Sequence, residues 1–198
     1  MTSHLATAFA LLVLTAIPAA AQSTGTPVYA APYRAFAGGE FAVSLSDPGE
    51  GSAVEGSYRT GFSDAVDVGW RVGIGDHGDN SAFLLGTDAR IRLTDHNDRF
   101  PFDGSLTVGI GMASSDNRTD GFLPIGFSMG RRILVEGSQV SLVPYLHPML
   151  TPTFGDANGT LFSLGFGLDA RITPRLDIRF SGAIGDQDGI AFTVAFLR

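Results

Sequence analysis

The fold class this sequence predicts is all-β: a closed antiparallel up-and-down transmembrane β-barrel of about ten strands with short loops. Three observations lead to it. The first is period-2 alternation. In GTLFSLGFGLDARI, one face holds Phe162, Leu164, Phe166, Leu168, Ala170 and Ile172, and the other holds Ser163, Gly165, Gly167, Asp169 and Arg171. The second is the glycine content of the polar face, which would make a poor water-facing strand surface but suits the inside of a barrel. The third is length: about ten residues rising roughly 3.3 Å each and tilted near 40° cover about 25 Å, the height of an outer-membrane apolar band. Alternation alone is shared with soluble sandwiches and lipocalin-like barrels, so a soluble periplasmic barrel binding a small apolar ligand stays as an alternative.

The elements follow in chain order. Met1 to Ala21 has a polar start, an apolar run from Leu5 to Ile17 and small residues before Gln22, the pattern of a signal peptide cleaved after Ala21. The apolar run is too short to span a bilayer as a helix. Residues 22–33 form a lead rich in Ser, Thr, Pro and Ala, and 34–198 form the barrel domain. Alternating segments lie near 34–46, 52–62, 66–76, 81–93, 102–114, 121–133, 139–151, 160–172, 176–185 and 189–197, separated by Gly, Asp, Asn and Pro turns. Val140 to Leu150 is the least regular, because two prolines and Leu142-Val143 break the alternation, leaving the directions of Tyr145 and His147 open. Merging two segments would give eight strands.

The faces then separate. Trp70, Phe162, Leu164, Phe166, Phe192 and Phe196 are expected to meet lipid, with no charged residue among the outward positions. The charges that fall inward are Arg59, Asp67, Arg71, Asp88, Arg90, Arg92, Asp169, Arg171, Asp177 and Arg179, with Arg132 alongside. In a narrow lumen such groups must pair or stay hydrated. Arg59 with Asp67 and Arg171 with Asp177 can pair across turns. Dense pairing would plug the barrel; incomplete pairing would leave a constriction of fixed charge that sets ion preference. Inward glycines such as Gly73, Gly75, Gly109 and Gly165 suggest an open vestibule above the ionic zone.

Composition excludes several function classes. The chain has no cysteine, so disulfides and thiolate metal sites are absent, and all 13 basic residues are arginine. The net charge is −7, and no basic patch with interleaved aromatics is present, so nucleic acid is not a partner. An even strand count puts both termini on the periplasmic side and the acidic turns DPGEG, DHGDN, SSDNRTDG, FGDANG and GDQDG outside. Asp and Gly in those turns serve backbone geometry first. Asp186 and Asp188 open like a calcium loop but lack the later bidentate Glu, and are the only metal candidates. The short loops argue against adhesion or receptor roles. Catalysis is not expected either: Asp76-His77 and Asp95-His96 fall at opposite ends of the barrel, and His147 has no acidic neighbour in sequence. The loop histidines should be solvated.

In the turn Arg171-Ile172-Thr173-Pro174-Arg175-Leu176-Asp177 and the last strand Ile190 to Phe196, the chain resembles small bacterial outer-membrane β-barrels of the OmpA/OmpX kind. The resemblance implies export to the outer membrane, lipid as surrounding partner, and handling by the barrel-assembly machinery. The family usually ends on an aromatic, whereas here Leu197 and Arg198 follow Phe196. The expected function is a structural, envelope-integrity barrel closed by an Arg/Asp network, without cofactor or enzymatic activity. A narrow pore for ions or small solutes is the alternative.

Overall fold

The computed structural model describes residues 24–32, 38–49, 51–77 and 80–198. The expected signal peptide 1–21, lead residues 22, 23 and 33, residues 34–37, and residues 50, 78 and 79 of the DPGEG and DHGDN turns lie outside the described residues. The strands are β1 (Gly39–Asp47), β2 (Ala53–Ser63), β3 (Val66–His77), β4 (Asn80–Thr94), β5 (Asp103–Ser115), β6 (Arg118–Phe122), β7 (Ile125–Gly130), β8 (Ile133–Leu134), β9 (Ser141–Gly155), β10 (Gly159–Thr173), β11 (Leu176–Gly185) and β12 (Gly189–Leu197). All pairings are antiparallel between neighbours, and β12 returns to β1 through pairs such as Val43↔Val194, which closes the barrel.

β6, β7 and β8 follow one another along a single stave between β5 and β9, so the barrel has ten staves rather than eight. The interruptions have a local cause. Pro124 has no N–H, and its carbonyl accepts instead from Gly109 N at 2.8 Å. On the facing strand, the carbonyls of Pro144 and Pro152 accept from Arg131 N and Leu123 N, so these residues turn their hydrogen-bonding edge toward the broken stave. Pro148, four residues from each, has the same orientation by strand period. Three donors are therefore missing along one edge, and pairing between β7 and β9 skips Phe127 and Ser128. The same prolines obscured the alternation of this segment in the sequence.

Alternation decides what each face meets. β1 runs intermediate, then strictly buried and exposed by turns, with Phe41, Val43 and Leu45 outside and Ala42, Ser44 and Ser46 inside. Trp70, 48% exposed, stands outside with Phe162, Phe166 and Phe196, while Leu164 and Phe192 on the same faces are half-buried among neighbours. A soluble barrel would need these side chains within; the structure has them on the wall, and polar residues such as Ser105, Thr151 and Ser163 inside.

Two rims result. The acidic rim carries the β1–β2, β3–β4, β5–β6, β9–β10 and β11–β12 turns. The terminal rim carries the start of β1, the end of β12 and the remaining turns.

Candidate functional site

The inside of the barrel is the site. Its main occupant is the chain itself: residues 24–32, read from sequence as part of a lead preceding the barrel, lie within the lumen. The segment enters at the acidic rim, where Gly25 lies against the Phe122 ring, and reaches toward the terminal rim, where Pro32 approaches Gly130. Residue 24 therefore lies at the opposite end from the start of β1, while the start of β1 and the end of β12 share the terminal rim. After a turn and bend at 24–26, residues 27–31 run without turn or bend from one rim toward the other.

Each step of the segment meets a wall group. Near the acidic rim, Thr26 Oγ1 donates to Glu55 Oε2 at 2.6 Å. Ser181 Oγ donates to the Pro27 carbonyl at 2.8 Å and accepts from Tyr29 N at 3.2 Å, serving two backbone groups with one hydroxyl. Arg71 Nη2 reaches the Val28 carbonyl at 3.5 Å, and Arg90 Nη1 donates to the Ala31 carbonyl at 3.0 Å. The Tyr29 hydroxyl lies 3.0 Å from Ser163 Oγ. Its ring stands edge-on to His147 at a centroid distance of 5.4 Å, and with Ala31, Val143, Tyr145, Met149 and Ala183 it makes an apolar cluster inside the lumen. Tyr145 and His147 thus both point inward. Gly165 makes room for this arrangement, because any Cβ there would collide with the Tyr29 ring.

Ionic groups fill the space beside the segment in two clusters. In the first, Arg59 bridges Asp67 and Asp88, while Arg90 grips Asp67 through Nε at 3.0 Å and Nη2 at 2.6 Å. Arg90 is 1% exposed and Asp67 2%. Gly69 leaves room here, since a Cβ would stand 2.6 Å from both Arg59 Nη2 and Asp88 Oδ1. In the second, Arg179 meets Glu40 at 2.6 Å, Asp177 at 3.4 Å and Asp169 at 3.6 Å, and Arg171 Nε meets Asp177 at 2.9 Å. Register places these charges, with Asp67 opposite Arg90, Asp169 opposite Arg179 and Arg171 opposite Asp177. Multiply bonded buried charges of this kind satisfy the requirement that a charge leaving water be paired.

Not every sequence-selected charge joins. Arg92 sits at the terminal rim, half-exposed, 3.4 Å from Asp95. Arg71 belongs to the upper lumen with Glu55 at 3.5 Å rather than to either cluster. Conversely, sequence reasoning missed Glu40 and Glu55. Both fall at inward positions of alternating segments, so the signal was available once strand phase was read for β1 and β2. Ser163 was readable as inward but, like Tyr29 and Ser181, had no readable role, because only the path of the segment gives them one.

The vestibule expected above the ionic zone is partly filled. Ala53, Ala82, Leu84, Ala113 and Phe122 form an apolar cluster facing the upper lumen, and a cavity of about 590 Å³ remains at the mouth among Thr24, Asp76, Asp120, Asp186 and Asp188. Asp186 Oδ2 accepts from Phe162 N at 2.9 Å and Asp76 Oδ2 from Ser52 N at 3.3 Å, which are turn-closing roles. Among the described residues no group of three or more His, Asp or Glu side chains is arranged to hold a metal ion, and Asp186 and Asp188 belong to none. At the terminal rim, His96 is not simply solvated as expected: Asp103 Oδ1 lies 2.9 Å from both its backbone N and its Nδ1, closing the β4–β5 turn.

No protein-family model matches the sequence, and no curated relative does. Among solved structures, a designed transmembrane β-barrel is 14% identical over 81% of this chain and 95% of its own, with a TM-score of 0.41. The β domain of the Bordetella autotransporter Brka is 16% identical over 81% of this chain and 98% of its own, with a TM-score of 0.51. At 16% identity the likeness to the autotransporter domain is one of fold, without pointing to the OmpA/OmpX group in particular. The closed antiparallel barrel with an apolar wall and an ionic interior is the fold of a transmembrane β-barrel.

Proposed function

We propose that this protein is an outer-membrane barrel with a structural, envelope-integrity role, its lumen closed jointly by residues 24–32 and the two Arg/Asp/Glu clusters. One observation carries this reading: the segment lies in the lumen and is fastened to β2, β3, β4, β10 and β11. Beside Val28 and Tyr29 the remaining void is only about 30 Å³. Such a space holds about one water molecule. The export signal read from residues 1–21, the apolar wall and the C-terminal strand favour the outer membrane and passage through the barrel-assembly machinery.

The pore alternative requires an open constriction at the arginines. Arg71 and Arg90 are instead engaged with the segment's carbonyls and with Glu55 and Asp67, which favours closure over ion selection. Conductance of the intact chain in a planar bilayer, on protein first shown to be folded by heat-sensitive gel mobility, tests the reading. Absence of discrete steps is expected, and reproducible steps from the folded intact chain would overturn it.

A further inference from the structure

We propose that the lumen is a peptide-binding site, with residues 24–32 as its resident ligand, and that it accepts a separate peptide of the same chemistry when the resident segment is removed or weakened. The inference rests on the closed-lumen reading and adds to it a ligand class: a stretched, uncharged, small-residue and proline-rich peptide with one aromatic side chain.

The form of the contacts carries the argument. The segment, Thr-Gly-Thr-Pro-Val-Tyr-Ala-Ala-Pro, has no charged side chain, whereas the wall supplies the charges and hydroxyls. Most wall contacts go to its backbone, at the carbonyls of Pro27, Val28 and Ala31 and the amide of Tyr29. Main-chain recognition of this kind gives affinity to any extended peptide, and side-chain pockets then set preference. Here the pocket is single and specific: Ser163 meets the Tyr29 hydroxyl, His147 meets the ring edge, and Gly165 leaves the opening. Pro27 and Pro32 suit the rest of the path, since each lacks an N–H that the lumen would otherwise have to satisfy.

The receptor groups also differ from ordinary wall filling. Ser163, Ser181, Arg90 and Glu55 are all at least nine-tenths buried and turn a polar atom toward the segment or its partner groups. The segment contributes no pairing to the barrel sheet, which closes through β1 and β12 without it. Ligand and receptor are therefore separable in structure, and the ionic clusters beside the segment have their own internal pairs.

The test uses a peptide of the sequence TGTPVYAAP, labelled at its N-terminus so that the label stays in the mouth cavity, with binding read by fluorescence anisotropy. Three folded proteins are compared: the intact chain, a chain lacking 24–32, and the full chain carrying Tyr29→Ala. The deletion variant should bind saturably, the intact chain should not at the same concentration, and Tyr29→Ala should fall between. A peptide with Ala in place of its Tyr should bind at least tenfold more weakly. Equal binding of a scrambled peptide, or a folded deletion variant that binds no more than the intact chain, would overturn the proposal. If the deletion fails to fold, Tyr29→Ala decides by the same comparison; failure of both to fold would make the segment part of the fold and not a ligand. Channel steps from the intact chain would refute closure separately, because they are read without any peptide.

Discussion

The Tyr29 hydroxyl meets Ser163 Oγ at 3.0 Å across a sequence separation of 134 residues, tying the segment in the lumen to the wall strand β10. Both groups are buried, so neither has bulk water as an alternative partner. The contact therefore reports whether the segment is seated.

Tyr29→Phe should cost about 1 to 3 kcal/mol, because it leaves the Ser163 hydroxyl without its partner while keeping the ring in place. Tyr29→Ala should cost about 3 to 5 kcal/mol by removing the ring as well. Urea unfolding in lipid vesicles, followed by the emission of the single tryptophan, measures both. Equal and negligible effects would mean that the segment is not held where the structure has it.

Removing Arg90 tests the first ionic cluster. Arg90→Met strips Asp67 of two hydrogen bonds and the Ala31 carbonyl of one, while Arg59 stays beside Asp67. A loss of about 3 kcal/mol is expected, at the lower end for breaking a buried ion pair because one cation remains. A neutral result in the same urea titration would show Asp67 sufficiently paired by Arg59 alone.

On the wall, Leu164→Arg should cost about 2 to 4 kcal/mol in a bilayer, as Leu164 lies between Phe162 and Phe166 on the lipid-facing side of β10. A shift of less than about 0.5 kcal/mol for Leu164→Arg would place that face in water rather than lipid.

Trp70 offers a direct view of the bilayer. It stands outside next to Tyr58, ring centroids 6.1 Å apart, and is half exposed to whatever surrounds the wall. Phospholipids with brominated acyl chains should quench its emission strongly, and a water-soluble quencher should do little. The reverse pattern would contradict a membrane-facing position.

Much of this architecture was legible in the residues. Gly159 to Ile172 alone fixes the phase of β10, and the same alternation located nine other staves with bounds close to those observed. The pairs Arg59 with Asp67 and Arg171 with Asp177 were readable because each spans one short turn, so local sequence distance stands in for spatial distance. Glu40 was readable in phase but not in partner: Arg179 lies 139 residues away and meets it only because β11, β12 and β1 are neighbours in the closed sheet. Val140 to Leu150, on β9, blurred because its prolines interrupt the alternation, and the same prolines withhold ladder donors from the stave broken at Pro124.

What the sequence by itself determined is the alternation, and through it the barrel class, the apolar wall and the inward placement of charge, because a period of two residues follows from the covalent geometry of an extended chain. What only the tertiary structure decided is what fills the interior. Residues 24–32 carry no period and no charge, and nothing local distinguishes a free lead from a seated one. Their position depends on Ser163, Ser181, Arg71 and Arg90 being brought from four different strands to one axis, which happens only when the barrel closes.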